Sequence, residues 1–314
     1  MNGGALNNCL MRDSKPNLDG GCANLDELRR QSRRLRWIWR IRPSLLAIPL
    51  ARLLAPDPRR RIVDTPMGLR LYIDPLTHLG KVIAESGEYE PETVEVYKQL
   101  VVPGAVVLDI GANEGVFSAL AAKLAGPTGF VLSVEPQSRL RNIIEINMRL
   151  NGAQHFSILT AAMGGSESTD AHLSIAPSLN SGSSSFVHRS RLYQQTEPVR
   201  FTGVDELCRS AGSRHFDLVK VDVEGYEHRV VEVLMPLLRE GRIGALLVDY
   251  HDQLLRQQGI RACDVHRQIM ESGFESSVPV STDPKSYVLY RSTRTSQRVP
   301  APMDEQNSRP HCPQ

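Results

Sequence analysis

The stretch VVLDIGANEGVFS, Val106 to Ser118, decides how this chain is read. Val106, Val107, Leu108 and Ile110 form the short apolar run of a buried strand, Gly111 and Gly115 bracket a turn, and VFSALAAKLA follows with helical spacing. The turn after such a strand is where open α/β sheets bind ligands. The two glycines admit a ligand close to the backbone, and the helix that starts near Gly115 aims its free N–H groups and positive dipole end at the site. A nucleotide-like guest fits. The spacing is G-x-N-x-G, however, and lacks the third glycine of the dinucleotide fingerprint, so a pyrophosphate is disfavoured.

Outward from this stretch, strand-like runs alternate with helical ones: FVLSVE then SRLRNIIEINMRL, HFSILTAA, DLVKVD then EHRVVEVLMPLL, and IGALLVDY. Such alternation predicts βαβ units and a parallel sheet covered on both faces. Upstream, IVDTPMGLRLYI reads as a β-hairpin, and Leu79 to Val101 reads as helical, with Pro91 just inside the start of its second part, where a missing N–H costs little. Downstream, Val265 to Tyr290 reads as helix, strand, turn and strand. Pro198 to Thr202 reads as a strand ahead of a short helix at Val204 to Leu207. Gly164 to Arg191 is dense in Ser and Gly and long for a connection, which marks it as functional or mobile.

The resulting organisation is a polar N-terminus over residues 1–24, a basic and apolar helical extension over 25–58, a hairpin and helices over 59–104, a catalytic domain over 105–292 and a polar tail over 293–314. Both ends are expected to be disordered. In the extension, seven arginines crowd Arg29 to Arg42 ahead of PSLLAIPLARLLA. Two readings stand: an amphipathic segment, Arg29 to Leu54, making peripheral contact with an anionic membrane, or an arginine face whose apolar residues pack on the catalytic domain.

The 314 residues suffice for a sizeable core, and 41% hydrophobic with 23% charged content is ordinary for a globular protein. A net charge of only +2 argues against a nucleic-acid partner. Five scattered cysteines without C-x-x-C spacing suggest neither a zinc site nor a disulfide framework, and a cytoplasmic setting is expected, extending to the inner face of a membrane if the basic segment docks there. No secretory pattern and no run of the roughly 18 apolar residues of a membrane helix is found.

Two acids narrow the guest of the glycine loop. Asp109 immediately precedes it, where a carboxylate repels a diphosphate but holds an ammonium group or a water. Glu135 ends the second strand about 20 residues further on, where an acid takes a ribose hydroxyl pair in such folds. A cofactor with a ribose, a cationic amino-acid end and no phosphate satisfies all three features, and S-adenosylmethionine is that cofactor. The alternatives are that Asp109 caps a helix and that Glu135 is a solvated strand end.

With these residues on the page, the chain resembles the FkbM-type methyltransferases over about Gly87 to Tyr250. The resemblance rests on GEYEPETVEVYKQLVVPGAVVLDIGANEGVFS, on VEP at Val134 to Pro136, on INMRLNG at Ile146 to Gly152, on Ala161, Ala162 and Gly164, on GVDEL at Gly203 to Leu207 and on DLVKVDVEGYEHRVV at Asp217 to Val231. It implies an α/β, Rossmann-like class I S-adenosylmethionine-dependent methyltransferase fold. That fold has a seven-stranded, mostly parallel sheet with helices on both faces and a reversed final hairpin, here near Val278 and Tyr287. It also implies activity mainly on oxygen, places Asn147 near the cofactor side of the sheet, and sets Pro136 and Ala162, with Ala161, beside the nucleoside. The long N-terminus, His251 and the Ser-rich insertion depart from the family's pattern.

A second acidic cluster, KVDVEGYEH at Lys220 to His228, ends the presumed fourth strand. Methyl transfer asks that the methyl be held in line with the attacking oxygen, and a hydroxyl nucleophile benefits from a base. Asp222 and Glu224 are the candidate bases, and Lys220 and Glu227 are candidates for orienting a substrate hydroxyl. The alternative is that Glu224 and Glu227 cap the helix and pair with Lys220 or Arg229. His251, after the fifth strand, is a third catalytic candidate because its ordinary pKa is near neutrality. Asp222, Glu224 and Asp249 offer carboxylates to Mg2+, but nothing in their spacing demands one, and no metal is expected.

The expected cofactor-binding set is thus Asp109, Gly111, Asn113, Gly115, Glu135, Pro136 and Ala162. The expected function is methylation of a hydroxyl on a sugar, glycan or small metabolite. The alternatives are a non-catalytic relative docking on a membrane-associated glycan assembly and an NAD-dependent oxidoreductase.

Overall fold

The computed structural model describes residues 25, 26, 29, 30, 33, 60–75, 77–164, 171–174, 196–212, 215–279 and 286–294. The hairpin is β1 (Arg61–Asp64) with β2 (Arg70–Ile73), followed by helices α1 (His78–Ser86) and α2 (Pro91–Leu100). The quoted stretch forms β3 (Val106–Ile110) and α3 (Val116–Ala125). Then come β4 (Phe130–Val134), α4 (Arg141–Leu150), β5 (Phe156–Leu159), β6 (Ala162–Met163), β7 (Ala171–Ser174), β8 (Thr196–Val199), β9 (Phe201–Thr202) and α5 (Val204–Ser210). The chain continues through β10 (Phe216–Val221), α6 (Glu227–Arg239), β11 (Ile243–Val248), α7 (Asp252–Gln257), α8 (Ala262–Glu271), β12 (Phe274–Glu275) and β13 (Val288–Ser292).

The main sheet has seven strands in the order β12-β13-β11-β10-β3-β4-β5. The five strands from β11 to β5 are parallel, and β13 runs antiparallel to both β11 and β12. The last strand of the chain, β13, is thus reversed within an otherwise parallel run, as the family resemblance implies. From β3 the chain first builds outward through β4 and β5, then returns to place β10 on the other side of β3. The order therefore reverses between β3 and β10, and the crevice at the carboxyl ends of those strands is the topological switch point.

The strand residues alternate between two cores. Val107, Val131, Leu218 and Leu247 face one layer with residues of α1, α2, α3 and α4, whereas Leu108, Leu132, Val219 and Leu246 face the other with residues of α6 and α8. Each is fully or almost fully buried, and burial of such a side chain contributes about 1.5–3 kcal/mol. The continuous apolar runs of the sequence follow from this two-sided burial.

Three expectations shift at element boundaries. The closing strand pair is Phe274–Glu275 with Val288–Ser292, so Val278 falls outside it; Pro279, without an N–H, is unsuited to extend the ladder there. HFSILTAA does not continue as one strand: β5 joins the main sheet, and β6 pairs in parallel with β9. Pro198 to Thr202 likewise divides, Pro198 and Val199 pairing with β7 and Phe201 and Thr202 with β6.

At the N-terminus, Leu25 packs against the first core and Arg29 Nε donates to the Ala84 carbonyl of α1 at 3.0 Å, so these two residues lie against the folded body. Most of the proposed membrane segment, most of the Ser-rich insertion, the N-terminal tail and nearly all of the C-terminal tail lie outside the described residues. Among the described residues, no helix is long and apolar enough to cross a membrane.

Candidate active site

The carboxyl ends of β3, β4, β10 and β11 meet in a cleft of about 340 Å³, within the size range of small-molecule sites. Its walls include Gly111, Asn113, Glu135, Pro136, Ala161 and Ala162 on one side and Asp222, Glu224, Asp249 and His251 on the other. These are the two groups singled out from sequence, brought together by the switch point.

The cofactor loop is held in a demanding conformation. Gly111, Asn113 and Gly115 all have positive φ, at 83°, 49° and 79°. A Cβ on Gly111 would stand 1.8 Å from the Asp222 carbonyl oxygen, so the loop passes directly against the turn after β10. Gly111 and Ala112 donate backbone N–H groups to Val134 O at 2.9 and 3.2 Å. Asn113 N–H donates to Glu135 Oε2 at 2.9 Å, and Glu135 Oε1 accepts from Gln137 N and Nε2. Burial pushes the Glu135 carboxyl up to about 7, against the pull of those N–H donors.

Asp109 is fully buried. Ser118 Oγ donates to its Oδ2 at 2.6 Å, while its Oδ1 is buried without a hydrogen-bond partner. It lines a second cavity of about 20 Å³, the size of a water or an ammonium group, together with Lys220 and Asp222. Lys220 is also buried, 2.6 Å from Asp222 Oδ2 and 4.9 Å above the Phe117 ring. Neither Asp109 nor Lys220 lines the main cleft.

On the other side, Glu224 lines the cleft with φ of 50°, in a turn completed by Gly225 at 93°. His251 caps the start of α7. Its Nδ1 is 2.8 Å from Glu227 Oε1, and its Nε2 is 3.4 Å from Glu224 Oε2 and 3.9 Å from Asp249 Oδ2. Glu227 is fully buried behind the histidine and also accepts the Gly225 N–H at 2.9 Å, so it does not reach the cleft wall. Burial, with the neighbouring acids, pushes Glu224 up to about 7 and Asp249 up to about 6. Burial works to lower the His251 pKa, but the hydrogen bond that its Nδ1–H donates to Glu227 and the charges of Glu224, Glu227 and Asp222 carry it to about 9. Asp222, Asp249 and His251 each offer an atom within 4.8 Å of the others, compact enough for a divalent cation.

Sequence reasoning missed Tyr89, Glu90 and Tyr226, all of which line the cleft. Glu90 caps α2 with φ of 45°. Among the described residues, Glu90, Asn113 and Glu224 are the three non-glycine positions of positive φ, and all three line this cleft. Local strain of this kind collects at functional sites. The available signal was the acid directly ahead of Pro91, a position from which the ordinary helical conformation is disfavoured. Asn147, expected near the cofactor, is buried under the loop: its Nδ2 donates to Glu114 O at 2.7 Å and its Oδ1 accepts from Tyr72 N at 2.6 Å.

This sheet, with a glycine loop and an acid ending the neighbouring strand, is that of a nucleoside-binding α/β protein. Residues 109–275 match the family model described as the methyltransferase FkbM domain, more than half of the chain, and the protein belongs to that family. S-Adenosylmethionine is accordingly its cofactor, and the residues present fit it: an acid at the end of β4, a phosphate-free loop, and an unpartnered buried carboxylate oxygen beside an ammonium-sized cavity.

Among solved structures, the chain is similar to precorrin-6Y C5,15-methyltransferase from Geobacter metallireducens, at 15% identity over 64% of this chain and 87% of that one, with a TM-score of 0.38. It is similar to a methyltransferase from Pyrococcus furiosus at 14% identity over 78% and 95%, TM-score 0.38. It is also similar to Aeropyrum pernix fibrillarin, solved with natively bound S-adenosyl-L-methionine, at 11% identity over 61% and 68%, TM-score 0.34. No curated protein matches the chain.

Proposed function

We propose that the protein methylates a hydroxyl group of a sugar, glycan or small-metabolite acceptor. The observation that carries this reading is Glu224, a carboxylate on the cleft wall whose pKa is raised to about 7 and which stands 3.4 Å from His251 Nε2. A general base works best with a pKa near the operating pH.

When bound, the cofactor supplies an electrophilic methyl group on a sulfonium. In our reading, the Gly111 to Gly115 loop and Glu135 hold its ribose, Asp109 takes its ammonium end through Oδ1, and Pro136, Ala161 and Ala162 leave room for the flat ring. The acceptor hydroxyl sits between Glu224 and His251. As the acceptor oxygen bonds the methyl carbon and the sulfur–methyl bond breaks to leave a neutral thioether, Glu224 takes the proton that the acceptor hydroxyl loses. His251, fixed by Glu227, favours the ionised form of Glu224 against the effect of burial. Lys220 holds Asp222 through their ion pair, so Asp222 orients the acceptor while Glu224 takes the proton. Most of the acceleration expected of such a site comes from holding two reactants in line.

A tritiated-methyl screen over sugar, lipid and phenolic acceptors tests the reading. Label transferred to a hydroxyl, and lost in Glu224→Gln, supports it. Transfer only to nitrogen or carbon acceptors overturns it.

A further inference from the structure

Arg60 lies outside the segment that matches the family, at the start of the N-terminal hairpin. Its Nη1 donates to Glu114 Oε2 at 2.7 Å and approaches the Tyr72 carbonyl at 3.3 Å, with the guanidinium 5.8 Å from the Tyr72 ring centroid. The Glu114 side chain is 0% exposed and that of Arg60 only 13%. Glu114 belongs to the GANEG loop, between Asn113 and Gly115.

Three positive-φ residues within five positions do not hold that loop by local preference, so its shape depends on anchors. One is the pair of N–H groups on Val134 O, the second is Asn113 on Glu135, and the third is Glu114. The Glu114 carbonyl accepts from Asn147, which also binds Tyr72 N, and its carboxylate accepts from Arg60. Both contacts tie the loop to the hairpin. Asn151 adds a second clamp on the same strand, accepting from Arg70 N and donating to Arg70 O.

We propose that Arg60 is a positioning residue for S-adenosylmethionine binding: through Glu114 it holds the loop so that Asn113 and Glu135 keep their cofactor geometry. This deepens the assignment of the loop to the cofactor and rests on it. Removing one charged hydrogen-bond partner from a buried carboxylate destabilises its native placement. Glu114 then shifts, and Asn113, its chain neighbour, shifts its grip on Glu135.

The test measures the Kd of S-adenosylhomocysteine by calorimetry on the full chain, well below each variant's melting temperature and with folding checked by circular dichroism. Arg60→Met is expected to weaken binding at least tenfold. Arg60→Lys, which keeps the charge with fewer donors, should fall between and remain folded if Arg60→Met does not. Arg70→Met, which breaks the exposed Arg70–Asp64 pair on the same hairpin, should bind like the native protein. Native affinity in Arg60→Met and Arg60→Lys, with only the melting temperature lowered, overturns the proposal. So does an equal loss in Arg70→Met, which would trace the effect to the hairpin at large. Glu135→Ala separates the two levels: if it weakens binding while the Arg60 variants do not, the inference alone fails. If neither affects binding, the assignment of the loop fails with it.

Discussion

The carboxylate of Glu227 sits 2.8 Å from Nδ1 of His251, buried where no substrate reaches it, and the opposite ring nitrogen faces Glu224. His251 is held above its ordinary pKa, at about 9. The stability this pairing contributes is therefore fully present below about pH 6.5 and is lost as pH rises through about 9. Glu227→Gln should cost on the order of 2 kcal/mol at pH 6 and distinctly less at pH 10. Denaturant unfolding at the two pH values checks this, and an equal cost at both would rule out a charged pair.

If Glu224 is the base, as proposed, its pKa near 7 sets the pH dependence of the reaction. Proton transfer to it requires the ionised form, so kcat/KM should rise with pH through about 7. Because Asp222, Asp249 and His251 face the same carboxylate, the observed value belongs to the group as a whole. Glu224→Gln should lower kcat about 100-fold or more and remove the rising limb. A variant that keeps the limb would move the base elsewhere.

Glu135 answers to cofactor affinity. Its Oε2 holds the Asn113 N–H while the carboxylate stays on the cleft wall, so Glu135→Ala removes the proposed ribose partner and an anchor of the loop together. Loss of charge-assisted hydrogen bonds costs about 1.5–3 kcal/mol, which corresponds to a Kd for S-adenosylhomocysteine raised about 10- to 100-fold by calorimetry.

Gly111→Ala should impair folding as well as binding. The new methyl would meet the Asp222 carbonyl and sit at φ of 83°. Loss of more than about 2 kcal/mol is expected, read as a lowered melting temperature.

Methyl transfer should persist in EDTA. Lys220 occupies Asp222 at 2.6 Å and Glu227 occupies one nitrogen of His251, which carries a proton at neutral pH on a raised pKa. A rate abolished by EDTA and restored by Mg2+ would assign the Asp222, Asp249 and His251 group to a metal.

Much of this was legible before any coordinates because strands buried on both faces write themselves as apolar runs. Val106 to Ile110, Phe130 to Val134, Phe216 to Val221 and Ile243 to Val248 are all of that kind, and residues at their carboxyl ends fall at the sheet's ligand edge by topology alone. What stayed hidden depends on contacts between distant segments. Nothing local marks Glu227 as lying behind His251, since both are polar residues after strands. Glu90 reaches the cleft only because α2 packs beside α3, and the tie from Arg60 to Glu114 spans 54 positions. The two-residue strands β6 and β9 carry too little pattern to be told apart from the strands before them.

The left-handed residues Glu90, Asn113 and Glu224 set durability against chemistry. Glycine at any of them would relax the backbone by about 1 kcal/mol or more, so selection for heat resistance alone would favour it. At Glu90 and Glu224 the same change deletes a carboxylate from the cleft. A laboratory evolution scheme that rewards only melting temperature should therefore collect glycines at these positions and yield sturdier, inactive proteins.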